Sequence, residues 1–559
     1  MIRQRFIRDS KGIMALALCC VFGLAFSQNP DALRPVSKTY AITNINIVQA
    51  PGRTVSMGTL VVKDGLILSV GKNVSIPADA IIIPADSMYA YAGFIDGLSN
   101  TGVTKPKEES ERPKDRSNPP DELAGITPQL DVRNFLNAND RNIEDMRAVG
   151  FTAAHVVPYG QMLPGNGAII LLGGSSSDEM VLVNNASFYS QLEGASRMYP
   201  NTTIGVMAKY RQLYRQAAIS NSYAGMYASN RSSLERPTTD RVLEAFYPVI
   251  EGRQSVMFKS EKVLETQRVL TLKKDLGFSL LIGNLKEGWD IIGDIKASNA
   301  KVFLSLDLPD KMKDEKKDDK TDAVKSSTEK EALEKRKEEF IIKYTSQAAS
   351  FQKAGLVFGF STMSAKAKDI HANLRRMIEA GLTEDQALAA LTTSPAQLLG
   401  LSDRMGSIDV GKIANIVISD KPYFSEKVKV RYVFVDGTLS KYEVKETKKG
   451  DPNAKVEIGG NWSMKTETPQ GDTEGKVVFT KDGGRYSGTI SGGRLPSAIP
   501  LDDITLEGNK LHFTYTVTFG SQTMTIECDG TIEGESFSGT ASIGEFGSFP
   551  MEGTKDPNN

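Results

Sequence analysis

Only three histidines occur in the 559 residues: His155, His371 and His512. That shortage restricts the chemistry open to the chain. A zinc-type ion that activates water is held by imidazole, thiolate and carboxylate groups, commonly three from the protein with one position left open. His512 falls in a C-terminal stretch with strand texture, and His371 falls inside an amphipathic helix pattern. His155, near the end of a strand pattern, is the one imidazole placed to face a site. A lone histidine in an apolar strand reads more readily as a hydrogen-bonded core residue than as a ligand. Asp96, Asp307 and Asp310 stand near expected strand ends and offer oxygen donors for a magnesium- or calcium-type ion, but their spacing matches no carboxylate cage. A serine nucleophile has no Gly-x-Ser-x-Gly elbow to sit on. The nearest turn, Gly173-Gly174-Ser175-Ser176-Ser177, lacks the closing glycine.

The elements that would hold these residues lie between about 122 and 400, where short apolar runs alternate with amphipathic helix patterns. The expected strands are Ala153–Val157, Ala168–Leu172, Ile204–Ala208, Leu280–Ile282, Val302–Leu306 and Leu356–Phe360. Such alternation implies a parallel sheet with crossover helices, and at this length a (β/α)8 barrel. In the best-punctuated part, Ile370, Leu374, Met377 and Ile378 share one helix face and Gly381 stops it. Thr383 with Gln386 forms a capping box, and Ser394 with Gln397 forms another, with Pro395 at the first helical position and Gly400 as the stop. The loop Pro158 to Gly167 follows the strand that carries His155. It either lines a pocket or makes a tight connection.

Both flanks of this region read as strands. Residues 28–95 contain Tyr40–Val48 and Thr59–Val70, the second broken by Asp64-Gly65, a strong hairpin cue. Residues 403–440 return to the same texture, with a turn at Asp436-Gly437. Each flank holds too few strands to stand alone, so the two are expected to pair into one β-sandwich. The charged insertion 311–339 carries ten basic and ten acidic residues and reads as a solvated helix or mobile segment. After a linker, 441–454, residues 455–555 form a separate all-β meander or small barrel of about eight antiparallel strands. Its Tyr486, Phe513, Tyr515 and Phe519 read as core rather than as a ligand platform. A glycan-binding or surface-attachment role for this unit is a minor alternative.

The N-terminus reads as a targeting signal. Arg3, Arg5, Arg8 and Lys11 precede an apolar run from Ile13 to Phe26, with small residues at Ala25 and Ser27, so cleavage is expected near Ser27/Gln28. An uncleaved anchor or a lipoprotein at Cys19 or Cys20 is the weaker alternative. Removing residues 1–27 takes away four bases and one acid, leaves a net charge of −4, and leaves Cys528 as the only cysteine. Cys528 reads as a small apolar strand residue. The expected location is exported, periplasmic or extracellular. With 67 basic and 68 acidic residues in the full chain, a nucleic-acid partner is not expected. No later stretch is apolar enough for a membrane-spanning helix.

Two sets of motifs give the region a family resemblance. At the front, Gly58-Thr59-Leu60-Val61-Val62-Lys63-Asp64-Gly65-Leu66-Ile67 leads to Ala92-Gly93-Phe94-Ile95-Asp96. At the back, Thr393-Ser394-Pro395-Ala396-Gln397-Leu398-Leu399-Gly400-Leu401 leads through Met405-Gly406-Ser407-Ile408-Asp409-Val410-Gly411-Lys412-Ile413-Ala414-Asn415-Ile416-Val417 to Val433-Phe434-Val435-Asp436-Gly437. In this order, over residues 38–440, they resemble the amidohydrolase superfamily, in particular its imidazolonepropionase-like branch. The resemblance implies a (β/α)8 TIM-type barrel, here over residues 96–402, beside a β-sandwich built from both flanks. It also implies zinc-type ions at the strand ends that activate water against C–N or ester carbonyls, with a strand-eight aspartate taking the proton.

At the family's ligand positions this sequence departs from the pattern. The first-strand His-x-His falls on Leu98 and Asn100, the strand-five histidine on Lys259, the strand-six position near Gly283-Asn284, and the strand-eight aspartate on Met363. Leucine has no lone pair, an amide is a poor zinc ligand, and an ammonium repels a dication. The expectation is a degenerate hydrolase or binding module without a bound cofactor and with no catalytic residue assigned. Its mouth candidates are Asp96, Asn100, His155, Lys259 and Thr362, facing a small molecule. The alternative is an active hydrolase of non-peptide, cyclic-amide or dipeptide C–N bonds, with a rearranged zinc site or one shared with a partner barrel or a homo-oligomer.

Overall fold

The computed structural model describes residues 38–106, 113–310 and 328–442, then 454 and 456–556 apart from 469–470, 484, 493–494, 496, 520–521 and 544–546. The expected signal segment, the first part of the charged insertion and most of the linker lie outside the described residues. Two compact units are present, one ending at Tyr442 and one starting at Glu443.

The first unit begins with β1 (Tyr40–Ala50), β2 (Arg53–Lys63), β3 (Leu66–Gly71), β4 (Ile81–Pro84) and β5 (Tyr89–Ala92). The turn between β2 and β3 is made by Asp64 and Gly65, both with positive φ (51° and 77°), as a two-residue hairpin of matching twist requires.

Eight strands then form a barrel-like sheet in sequence order: β6 (Phe94–Ser99), β7 (Phe151–Val156), β8 (Gly165–Leu171), β9 (Val181–Gln191), β10 (Val256–Lys259), β11 (Leu280–Leu285), β12 (Lys301–Ser305) and β13 (Phe358–Ser361). The last strand comes back beside the first, where Ser361 Oγ donates to the Leu98 carbonyl at 2.7 Å. The expected all-parallel (β/α)8 order breaks at one strand. β8 runs antiparallel to both β7 and β9. Only residues 157–164 join β7 to β8, too few for the crossover helix that a parallel pair needs.

Two further expectations are corrected. The run Ile204–Ala208 is not a strand but the start of a long helix, Thr203–Ser229. Thr202 caps it by accepting from the Gly205 amide at 3.2 Å, and Val206, Tyr210, Leu213, Tyr214 and Ala217 bury one helical stripe. Ser394 is not a cap either: it lies inside the helix Thr393–Leu398, whose N-cap, Thr392, makes no side-chain cap bond. Thr383 does cap, accepting from the Gln386 amide at 3.2 Å. Of the charged insertion, the described part is the helix Thr328–Thr345.

The chain then returns to the first sheet through β14 (Ile416–Ser419), β15 (Val430–Val435) and β16 (Thr438–Lys441), with β14 antiparallel to β5. The order is β16-β15-β14-β5-β1-β2-β3, with β4 on β1. Strands from both flanks therefore share one curled sheet, where two packed sheets were expected. Its far edge folds back so that the Ile67 amide donates to the Lys412 carbonyl at 2.9 Å, around a core of Ile42, Ile47, Leu60, Ile416 and Phe434.

The second unit is one all-antiparallel sheet of nine strands: β17 (Gly460–Thr468), β18 (Gly471–Asp482), β19 (Arg485–Ser491), β20 (Ile499–Pro500), β21 (Asp502–Glu507), β22 (Lys510–Phe519), β23 (Gln522–Glu533), β24 (Ser536–Ile543) and β25 (Gly547–Lys555). β25 pairs with β17. The core is filled by Trp462, Phe479, Phe513 and Tyr515, with Tyr486 packed at its edge. Phe479 and Phe513 meet edge to face at 5.7 Å. Nothing of the Phe519 side chain falls within the described residues. Cys528 is buried in this core, and burial pushes its thiol pKa up to about 12, as expected of an apolar strand residue.

Candidate functional site at the barrel mouth

Side chains two apart on a strand share a face, and here that rule stacks two contrasting layers inside the barrel. The lower layer is apolar. Leu98, Tyr189, Met257, Leu281 and Phe303 form one buried cluster with Val157 and Leu398, and Met363 packs against it. Two glycines make room for it. A Cβ on Gly97 would stand 1.9 Å from Phe303 Cδ1, and a Cβ on Gly283 would stand 2.3 Å from Leu98 Cδ2.

Above this floor lies a cleft of about 220 Å³ lined by Asn100, Tyr159, Gln191, Glu193, Lys259 and Ser364, among others. The loop after the His155 strand supplies Pro158, Tyr159 and Gly160, so it lines a pocket. Asn100 is oriented by donating to the Val157 carbonyl at 2.7 Å. Beside the cleft runs a charged network. Glu261 lies 4.0 Å from Lys259 Nζ and 3.8 Å from Lys286 Nζ, and Lys286 reaches Asp307 at 2.8 Å. Asn284, fully buried at the end of β11, donates to Glu261 at 2.7 Å and to Ser364 Oγ at 2.8 Å, and its oxygen accepts from Ser361 Oγ.

Of the five expected mouth residues, only Asn100 and Lys259 reach the cleft wall. Asp96 is fully buried. It accepts from the Thr362 and Leu98 amides at 3.0 and 3.2 Å, and the Thr362 hydroxyl bonds its other oxygen. Burial pushes the Asp96 carboxyl up to about 6, against the pull of those hydrogen bonds. Thr362 is thus a partner of Asp96 rather than a lining residue. His155 is also fully buried. The Gly97 carbonyl, 3.1 Å from Nδ1, can only accept, so Nδ1 carries the proton. Nε2 then accepts from Ser187 Oγ at 2.8 Å. Both ring nitrogens are engaged, and burial lowers the pKa to about 4. His371 meets the Tyr423 carbonyl at 2.9 Å and His512 meets Asp529 at 2.9 Å, each far along the chain from His155.

Glu261, Lys286, Glu193 and Gln191 were not anticipated. Glu261 follows Lys259 by two residues, and that spacing at a strand end was the one available signal. Asp307 belongs to the network with Lys286; Asp310 lines no part of the cleft. Among the described residues no group of three or more His, Cys, Asp or Glu side chains is placed to hold a metal ion.

A model of the amidohydrolase family matches residues 300–440. An amidohydrolase from Thermotoga maritima MSB8 overlays on 72% of this chain and 99% of its own, with a TM-score of 0.58 at 19% identity. More loosely, a prolidase solved with N-methylphosphonate-L-proline covers 73% of this chain and all of its own (TM-score 0.42, 14% identity). A molinate hydrolase covers 72% and 95% (TM-score 0.39, 13% identity). No curated protein sequence matches. The match over residues 300–440 supports the resemblance to the amidohydrolase superfamily, a family that commonly binds a metal such as zinc, and the overlay on the Thermotoga protein supports the fold.

Proposed function

We propose that this chain is an amidohydrolase-type protein whose barrel mouth binds a small carboxylate-bearing molecule and does not hydrolyse it through a zinc-bound water. The observation that carries this reading is Leu98. It stands where the family places an imidazole, and it is packed on Gly283 against Met257 and Phe303. Zinc needs lone pairs at about 2.0–2.3 Å, and the side chains here do not fit that need. Leu98 has none to give, Asn284 is held by Glu261 and two serines, and His155 has both nitrogens engaged. Lys286 already pairs with Asp307 and Glu261, whereas Lys259 comes no closer than 4.0 Å to Glu261 and makes no hydrogen bond to it. Lys259, on the cleft wall, is the cation that a ligand carboxylate would meet, with Tyr159 and Gln191 as hydrogen-bonding neighbours. Export is part of the same proposal, resting on residues 1–27 alone, and is checked by N-terminal sequencing of the secreted form, expected to start near Gln28.

The test is metal analysis of protein purified without chelator, joined to assays on dipeptides and cyclic amides. The expected result is zinc at trace level only and no turnover that chelation removes. Near-stoichiometric zinc, with hydrolysis lost on chelation and restored by the metal, would overturn the proposal in favour of a rearranged active site. Lys259→Met is expected to abolish binding of small carboxylates at the mouth.

A further inference from the structure

Two of the residues that line the cleft at the barrel mouth carry charge: Lys259 at the end of β10, and Glu193 just past the end of β9. The two strands run parallel with Gln191 opposite Lys259, and Glu193 follows Gln191 by two residues. An ammonium and a carboxylate therefore stand at neighbouring strand ends on one cleft. Among the described residues they do not pair with each other. Lys259 lies 4.0 Å from Glu261 without a hydrogen bond to it, and Glu193 has no ion pair.

The neutral polar groups around them are turned largely to one another. Gln191 accepts from the Tyr189 hydroxyl at 3.3 Å and donates to the Gly160 carbonyl. Asn100 donates to the Val157 carbonyl, and Ser364 accepts from Asn284. Below, Tyr189 belongs to the apolar floor and Met363 packs on it, so the body of a ligand held by the two charges meets hydrocarbon. The cleft, at about 220 Å³, is smaller than the roughly 300–1,000 Å³ of sites for drug-sized ligands. It suits a single amino acid better than a peptide.

Charge of both signs decides the class of ligand. A molecule with a carboxylate alone would meet Lys259 but would set a second anion beside Glu193, and an amine alone would do the reverse. A zwitterion complements both groups, and each contact is then a charge-assisted hydrogen bond, stronger than a neutral one. An α-amino acid carries its two charges on one carbon, and neighbouring strands lie only about 4.8 Å apart, so one such molecule can reach both strand ends.

Resting on the reading that the mouth takes a small carboxylate, we infer that it binds a free α-amino acid with an aliphatic side chain, the carboxylate meeting Lys259 and the ammonium meeting Glu193. The test is calorimetric titration of the full chain at neutral pH with L-leucine, with isocaproate, which lacks the ammonium, and with isopentylamine, which lacks the carboxylate. Leucine should bind saturably and each analogue ~10-fold or more weaker, as expected when one charge-assisted contact is missing. Glu193→Gln, at an exposed position, should lower leucine to the isocaproate level and spare isocaproate, whereas Lys259→Met should weaken both. The melting temperature is the fold control, and the three ligands on the wild type decide the question even if a variant melts early. Isocaproate binding as tightly as leucine, or leucine unaffected by Glu193→Gln, would sink the inference and leave the carboxylate site standing. Failure of both carboxylates to bind, or isopentylamine matching leucine, would sink the underlying reading with it.

Discussion

The ring of Phe303 on β12 lies across Gly97 on β6, so close that a Cβ at 97 would stand 1.9 Å from Phe303 Cδ1. Gly97 sits between Asp96, held by Thr362, and Leu98, held against Gly283. Leu98 on this strand thus joins the apolar floor of the barrel. Gly97→Ala is expected to destabilise the first unit by about 1–3 kcal/mol, the usual cost of overpacking a filled core. Phe303→Leu in the same chain should recover part of that loss, because the two changes share one space. Urea denaturation of the single and double variants checks this; strictly additive effects would contradict the contact.

Leu98 and Asn100 were legible in the sequence because they follow Gly93-Phe94-Ile95-Asp96 at fixed register, and register within one strand needs no tertiary information. Glu261, Lys286 and Asp307 were not, because their meeting depends on three strand ends lying side by side. Ile204–Ala208 misled because a short apolar run with β-branched residues suits either a strand or a helix, and the longer burial stripe to Ala217 decides. The reversal of β8 was within reach: a connection of residues 157–164 can turn a chain back but cannot carry it across as a helix.

Asp96 titrates against the grain of ordinary carboxylates. Its folded pKa, about 6, lies above the ordinary 3.8, so the native state holds the proton more tightly than the unfolded chain does. Its contribution to stability therefore declines as pH rises from about 4 to about 6, by roughly 3 kcal/mol in all. Asp96→Asn keeps an acceptor for the two amides and removes the titration. The stability of the wild type relative to Asp96→Asn should fall over that window, as read from urea midpoints at pH 4 and pH 6.5. A constant difference would show that Asp96 is ionised throughout.

His155 acts in the opposite sense. Its folded pKa of about 4 lies below the ordinary 6.5, so the unfolded chain takes up the proton first and stability is lost as pH falls from about 6.5 to about 4. The loss is again roughly 3 kcal/mol. The two groups thus offset each other in the wild type. His155→Gln should unmask the Asp96 slope, with stability falling as pH rises, and Asp96→Asn should unmask the His155 slope, with stability rising. If both variants keep the wild-type profile, neither group titrates as its burial dictates.

Glu261 joins the floor to the charged rim, and its removal should cost more than its partial exposure suggests. Its Oε1 accepts from Asn284, whose side chain is fully buried, while Oε2 faces Lys286. Glu261→Ala takes a partner from a buried amide, a loss of about 1–3 kcal/mol. Glu261→Gln keeps an oxygen for Asn284 and loses only the weaker attraction to the two lysines, so it should cost less. Asp307→Ala breaks a pair in which Asp307 is 40% exposed, worth at most about 1 kcal/mol. The expected order of damage in urea denaturation is Glu261→Ala, then Glu261→Gln, then Asp307→Ala. Equal costs for Glu261→Ala and Asp307→Ala would mean that Asn284 finds another acceptor and that the network does not organise the mouth.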